Sequence, residues 1–131
     1  MSEKIIFTNG CFDILHRGHF ELLKHCKSLG YVIVGLNSDI SVKAIKGNER
    51  PFFGEKDRSF MLESCKYVDE VHIFNEATPY RLISELKPDM IIKGGDYTPE
   101  AVVGYDICEV RIFNYIDGYS TTRILENEIR I

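Results

Sequence analysis

Five short runs of apolar, largely β-branched residues punctuate the chain: Ile5–Thr8, Tyr31–Leu36, Glu70–Phe74, Met90–Lys93 and Glu109–Asn114. Each is nearly continuous, as expected of strands buried on both faces of a parallel sheet. Between the runs, apolar positions recur at helical spacing. Gly18–Leu29 places Phe20, Leu23 and Cys26 together and stops at Gly30, a residue suited to a helix end. Glu55–Lys66 carries Phe60, Met61 and Cys65, and Pro79–Leu86 ends at Lys87-Pro88. Ser120–Ile129 opens with three hydroxyl residues able to cap a helix and sets Ile124, Leu125 and Ile129 on one face. The alternation predicts an α/β fold, a doubly wound parallel five-stranded sheet joined by right-handed crossovers, with helices on both faces. Ligands of such sheets bind beyond the carboxyl ends of the strands. Candidate chemistry should therefore gather just after each strand.

It does. After the first strand comes Thr8-Asn9-Gly10-Cys11-Phe12-Asp13-Ile14-Leu15-His16-Arg17-Gly18-His19. This is a polar, glycine-bearing turn into a helix, whose backbone N–H groups can hold phosphate oxygens. His16 and His19 lie three apart, share a face near the helix start, and can donate hydrogen bonds to an anion. Gly18 between them lets a ligand approach closely. A pair of surface histidines beside a helix cap, or a two-histidine metal site, would also fit. No third ligand stands at a telling spacing for the metal. Lys46 precedes Gly47 in the loop after the second strand and a helical segment, where a lysine can reach β- and γ-phosphates. With Lys43 and Arg50 it could equally form a solvated basic loop. Lys93-Gly94-Gly95-Asp96 closes the fourth strand, where two glycines let the backbone lie against a base or ribose and Asp96 can accept from a hydroxyl or meet a metal. Asp13 and Asp39 sit at strand ends and are also readable as turn or cap residues. Ser120, Thr121 and Thr122 place hydroxyls and N–H groups at a helix start, where the helix dipole favours phosphate.

The run Asn9 to His19 resembles the signature of the cytidylyltransferase-like nucleotidyltransferases, small Rossmann-like enzymes with an H-x-G-H motif. The resemblance extends through Asn37-Ser38-Asp39, Lys43 to Pro51, Lys93-Gly94-Gly95-Asp96-Tyr97 and Asp117-Gly118-Tyr119-Ser120-Thr121-Thr122. Within the family, the last two blocks are most similar to the heptose 1-phosphate adenylyltransferases, which make ADP-heptose for bacterial surface polysaccharide. The glycerol 3-phosphate cytidylyltransferases share the first motif but typically carry arginine where this chain has Tyr115, a departure that favours ATP over CTP. The resemblance implies His16, His19 and Lys46 as catalytic groups. It implies nucleotide binding by Thr8, Asn9, Gly10, Cys11, Phe12, Gly18, Lys93, Gly94 and Asp96, together with the Ser120–Thr122 hydroxyls. Asp13, Asp39 and Arg58 are then left to the sugar-phosphate substrate. Mg²⁺ is expected to bridge the triphosphate, and no protein-built metal site is expected. Homodimers are common in the family. In some members the domain is fused to a sugar kinase; here any kinase is expected on a separate chain.

Composition narrows the classes further. The 131 residues are 44% hydrophobic and 27% charged, ordinary for one globular domain, and the resemblance implies that residues 1–131 are a single nucleotidyltransferase domain. Apolar stretches such as Val32–Leu36 fall far short of the roughly 18 residues of a membrane span. The N-terminus lacks a signal-peptide pattern, and Cys11, Cys26, Cys65 and Cys108 show no zinc-like pairing. A cytoplasmic protein with free thiols is expected. Cys11 lies near the candidate chemistry, but a nucleophilic role would need a specific basic neighbourhood that sequence alone does not show. The net charge of −4 speaks against nucleic acid as partner. Residues 1–66 nonetheless carry ten basic and eight acidic groups, against six and twelve in the remainder. No G-x-G-x-x-G follows the first strand, which disfavours NAD. Two alternatives remain open on sequence alone: a cytidylyltransferase making a CDP-alcohol such as CDP-glycerol, and a non-catalytic nucleotide-binding module.

Overall fold

The computed structural model describes residues 3–114. The expected helix Ser120–Ile129 and the Ser120–Thr122 hydroxyls lie outside the described residues. The apolar runs become β1 (Ile5–Gly10), β2 (Tyr31–Asn37), β3 (Glu70–Phe74), β4 (Met90–Gly94) and β5 (Glu109–Phe113). They are joined by α1 (Arg17–Leu29), α2 (Asp39–Lys46), α3 (Glu55–Glu63), α4 (Tyr80–Leu86) and a 3-10 turn, Pro99–Ala101. All pairings are parallel and the strand order is β3-β2-β1-β4-β5, a Rossmann-like sheet.

In β1, β2 and β4 the continuous apolar runs are explained by burial on both faces, whereas the edge strands β3 and β5 depart from that expectation and leave Ile73, Glu109 and Arg111 exposed. Along β1, Ile6 enters one core cluster and Phe7 the other. In β2, Val32 and Val34 face the first cluster and Ile33 the second; Met90 and Ile92 are divided from Ile91 in β4 in the same way. This is the two-residue period of a strand with no solvent face. On the first face lie Leu22, Leu23 and Cys26 of α1 and Leu62 of α3; on the second lie Leu82 and Ile83 of α4. Helices thus cover both sides.

Boundaries depart from the sequence reading in three places. β1 continues two residues past its apolar run, because Asn9 and Gly10 still pair with Gly35 and Leu36. α3 stops at Glu63, where the N–H of Ser64 turns back to the Phe60 carbonyl. Lys46, read as a loop residue, is the last residue of α2, a helix capped at its start by the Ser38 hydroxyl and closed by Gly47 at φ 99°.

Candidate active site

The chain runs β1, β2, β3 to one side of the sheet and then returns to β4 and β5 on the other, so the order reverses beside β1. Parallel sheets leave a crevice at such a point, beyond the strand ends. A cavity of about 740 Å³ lies there, lined from the β1 turn, the start of α1, the end of α2 and the segment after β4.

His16 is the N-cap of α1. Its Nδ1 accepts the Gly18 N–H at 3.1 Å, while the His19 Nδ1 accepts the His16 N–H at 3.3 Å. A reciprocal cap usually made by a hydroxyl and a carboxylate is made here by two imidazoles. Because a backbone amide can only donate, both Nδ1 atoms are unprotonated and each neutral ring carries its proton on Nε2. The rings stack with centroids 3.9 Å apart, and both line the cavity. Burial holds the His16 imidazolium below its ordinary range. Burial lowers His19 to about 3, helped by His16 and Lys46. Two neutral N–H donors at a helix start with no acid in its first turn can bind an anion without first surrendering a proton.

Phe12 underlies this pair. It is buried at φ 45°, and its ring lies 5.1 Å from that of His19. Gly10 leaves room for it, since a Cβ there would stand 3.3 Å from the Phe12 ring. Lys46 reaches the cavity from the end of α2 and Lys93 from β4. Lys93 Nζ donates to the Asn9 carbonyl at 3.4 Å and sits 5.6 Å from the Tyr97 ring centre. Burial, reinforced by Lys46, draws its ammonium below the usual lysine range. Cys11 also lines the cavity, yet burial pushes its thiol up despite the cations nearby, the opposite of what a thiolate nucleophile requires.

Asn9, Gly10, Cys11, Phe12, Gly94 and Asp96 also border the cavity. Four expected site residues do not: Thr8, Gly18, Asp39 and Arg58. Thr8 is fully buried within β1. Gly18 acts through its N–H on His16. Arg58 has no exposed surface and donates to the carbonyls of Cys11, Asn37 and Phe53 and to Asp39 Oδ1. A sealed guanidinium cannot meet a ligand, which corrects the assignment of Arg58 to substrate, whereas Asp39 is partly exposed and has its Oδ1 engaged by Arg58. Asp13 borders the cavity, but its carboxylate accepts from the N–H groups of Phe52 and Phe53, so its acceptors are committed to the protein. Sequence reasoning missed Ala77, Thr78 and Pro79 after β3 and Val102 and Val103 beyond the 3-10 turn, which complete the wall. Position after a strand end was their sole signal, because small and apolar residues advertise no chemistry.

The model of the cytidylyltransferase-like family matches residues 7–129. The chain belongs to the cytidylyltransferase-like family of nucleotidyltransferases. Among curated relatives it is 52% identical over 126 residues to the bifunctional protein HldE of Helicobacter pylori (strain Shi470), and 54% identical over 126 residues to that of a Nitratiruptor species. Each match covers 95% of this chain but 27% of the relative, so the chain spans about a quarter of their length. Among solved structures, the lipopolysaccharide core biosynthesis protein from Thermoplasma volcanium superposes with a TM-score of 0.72 at 31% identity, covering 89% of this chain and 98% of that one. Pantothenate synthetase from Thermus thermophilus shares the fold, with a TM-score of 0.62 at 17% identity over 96% of this chain and 65% of that one. No helix among the described residues is long and apolar enough to cross a membrane.

Proposed function

We propose that this domain transfers a nucleotidyl group from a nucleoside triphosphate, ATP in preference to CTP, to a sugar 1-phosphate, with heptose 1-phosphate the favoured acceptor. A phosphate oxygen of the acceptor attacks the α-phosphorus of ATP in line. The bond to the β-phosphate oxygen breaks, and an ADP-sugar and pyrophosphate leave. The attacking phosphate is already ionised at neutral pH, so neither a general base nor a protein nucleophile is needed. Catalysis becomes positioning and charge stabilisation. The stacked, neutral His16 and His19 flanked by Lys46 and Lys93 carry this reading, for they line one cavity at the strand ends. The Nε2–H groups of the histidines serve the transferring phosphate and the lysine ammoniums the departing one.

Among the described residues no group of three His, Cys, Asp or Glu side chains could hold a metal. Mg²⁺ would arrive on the triphosphate as part of the substrate, where it neutralises phosphate charge. Similarity to the Thermoplasma lipopolysaccharide core biosynthesis protein supports a carbohydrate acceptor, and the K-G-G-D-Y and D-G-x-S-T-T motifs support a heptose. The test is a product screen by mass spectrometry, with mixed nucleoside triphosphates and a panel of sugar and alditol phosphates. An ADP-heptose peak with equimolar pyrophosphate is expected. CDP-glycerol as sole product would reassign base and acceptor, and nucleotide binding without pyrophosphate release would remove the activity.

A further inference from the structure

Arg58 heads the fully buried side chains of the molecule, a permanently charged guanidinium carried by α3 and sealed from solvent. Burying such a group is unfavourable, and an apolar side chain of similar volume would pack α3 as well or better. Its bonds explain its presence. Nε donates to the Phe53 carbonyl at 2.8 Å, and Nη1 to the carbonyls of Cys11 at 2.8 Å and Asn37 at 2.7 Å. Nη2 donates to Asp39 Oδ1 at 2.8 Å. One rigid fork therefore joins the turn after β1, the junction of β2 with α2, and the loop before α3.

The branches to Cys11 and Asn37 end at residues that line the candidate site. Cys11 precedes Phe12, held at φ 45° in the left-handed region that a phenylalanine adopts only when its surroundings enforce it. Asp13 follows, and its carboxylate accepts the Phe52 N–H at 2.8 Å and the Phe53 N–H at 3.0 Å. The flanks of Phe12 are thus tied on one side to Arg58 and on the other to the loop whose Phe53 carbonyl Arg58 also holds. The Phe12 ring packs on His19, which stacks on His16. On the other branch, Asn37 and Asp39 bracket Ser38, the N-cap of α2, and Lys46 ends that helix eight residues long.

We infer that Arg58 is the positioning residue that keeps the histidine pair and Lys46 in register, the two halves of the anion site, without touching the ligand. A lysine could replace its charge but not its planar fork, since one ammonium cannot reach acceptors on three segments. The inference rests on the proposed transferase reading for its kinetic consequence and on geometry alone for its structural one.

Arg58→Lys, Asp39→Ala and the control Val32→Ala test it. Val32 is equally buried but lies at the amino end of β2, away from the cavity. At a temperature where all three are folded by circular dichroism, Arg58→Lys should lose kcat by about tenfold or more, as small misplacements of catalytic groups do. Val32→Ala should keep wild-type kcat per folded molecule. Nitrogen-15 spectra of the unliganded imidazoles should show one Nε2–H tautomer for His19 in the wild type and in Val32→Ala, and a mixture in Arg58→Lys. Asp39→Ala, which cuts only the α2 branch, should lower kcat while leaving the His19 spectrum unchanged, and it decides the matter if Arg58→Lys does not fold. Wild-type kcat in either site variant overturns the inference, as does an unaltered His19 tautomer in a folded Arg58→Lys. If the wild-type protein transfers no nucleotide at all, the transferase reading fails, and the imidazole spectra alone decide the positioning role.

Discussion

His19 is held neutral by its surroundings, and that has a consequence for stability that can be measured without a substrate. Its folded-state value of about 3 lies below the ordinary 6.5, with burial as the first cause. Between these values the unfolded chain binds a proton at this position that the folded chain refuses. Stability is therefore complete above pH 6.5 and falls as the pH drops toward 3, at up to about 1.4 kcal/mol per pH unit. Carboxylates add their own acid sensitivity, so a comparison is required. His19→Gln, a neutral hydrogen-bonding replacement, should lose less stability than the wild type between pH 6 and pH 4 in denaturant titrations. Parallel curves would show that His19 protonates in the folded state near its ordinary range. The same substitution should reduce turnover by a large factor if the ring donates to the transferring phosphate.

At the scale of elements, the tightest constraint lies between the first two strands. Gly35 pairs with Asn9, and a Cβ there would stand 2.6 Å from the Phe7 ring, which is itself fully buried. Gly35→Ala must displace a core aromatic in the centre of the sheet and should cost about 1–3 kcal/mol. Thermal unfolding would record this as a clear drop in Tm, and an unchanged Tm would mean that the Phe7 ring yields freely. The central strands were legible because two-sided burial writes itself as a run almost free of polar residues, as in Tyr31–Leu36. Their ends were not, because Asn9 and Gly10 are held by pairing, which leaves no mark on hydropathy. The turn after β1 and the histidine pair were legible from glycine and histidine spacing. Arg58 was misread for a physical reason: charge in a sequence reads as exposure, and only tertiary contacts supply the carbonyls that let a guanidinium be buried. The partners of Asp13 were equally hidden, since a carboxylate at a strand end gives no sign that two N–H groups from the loop at Phe52 will claim it.

For the molecule as a whole, a triphosphate must approach a chain of net charge −4, so attraction has to come from a local field. Many surface cations are spent on neighbours: Lys27 pairs with Asp69, Arg81 with Glu85 and Arg111 with Glu109. Neither Lys46 nor Lys93 pairs with a carboxylate among the described residues, and both line the cavity. The excess of basic groups in residues 1–66 thus reaches the site through Lys46, while the acidic half contributes Lys93. Lys46 stands at the solvent end of α2 and is exposed, so its interaction with phosphate should be sensitive to salt. Lys93, half-sheltered beneath Tyr97, should be less so. Isothermal titration of ATP at roughly 50 and 500 mM KCl should therefore show weaker binding at high salt, because screening lengths shrink over that range. Lys46→Gln should raise Kd by about tenfold or more at low salt, the worth of a charge-assisted hydrogen bond, and should flatten the salt dependence. Adenosine, which carries no phosphate, should bind both proteins alike. An undiminished salt slope in Lys46→Gln would shift the field that draws the nucleotide from α2 to Lys93 at the end of β4.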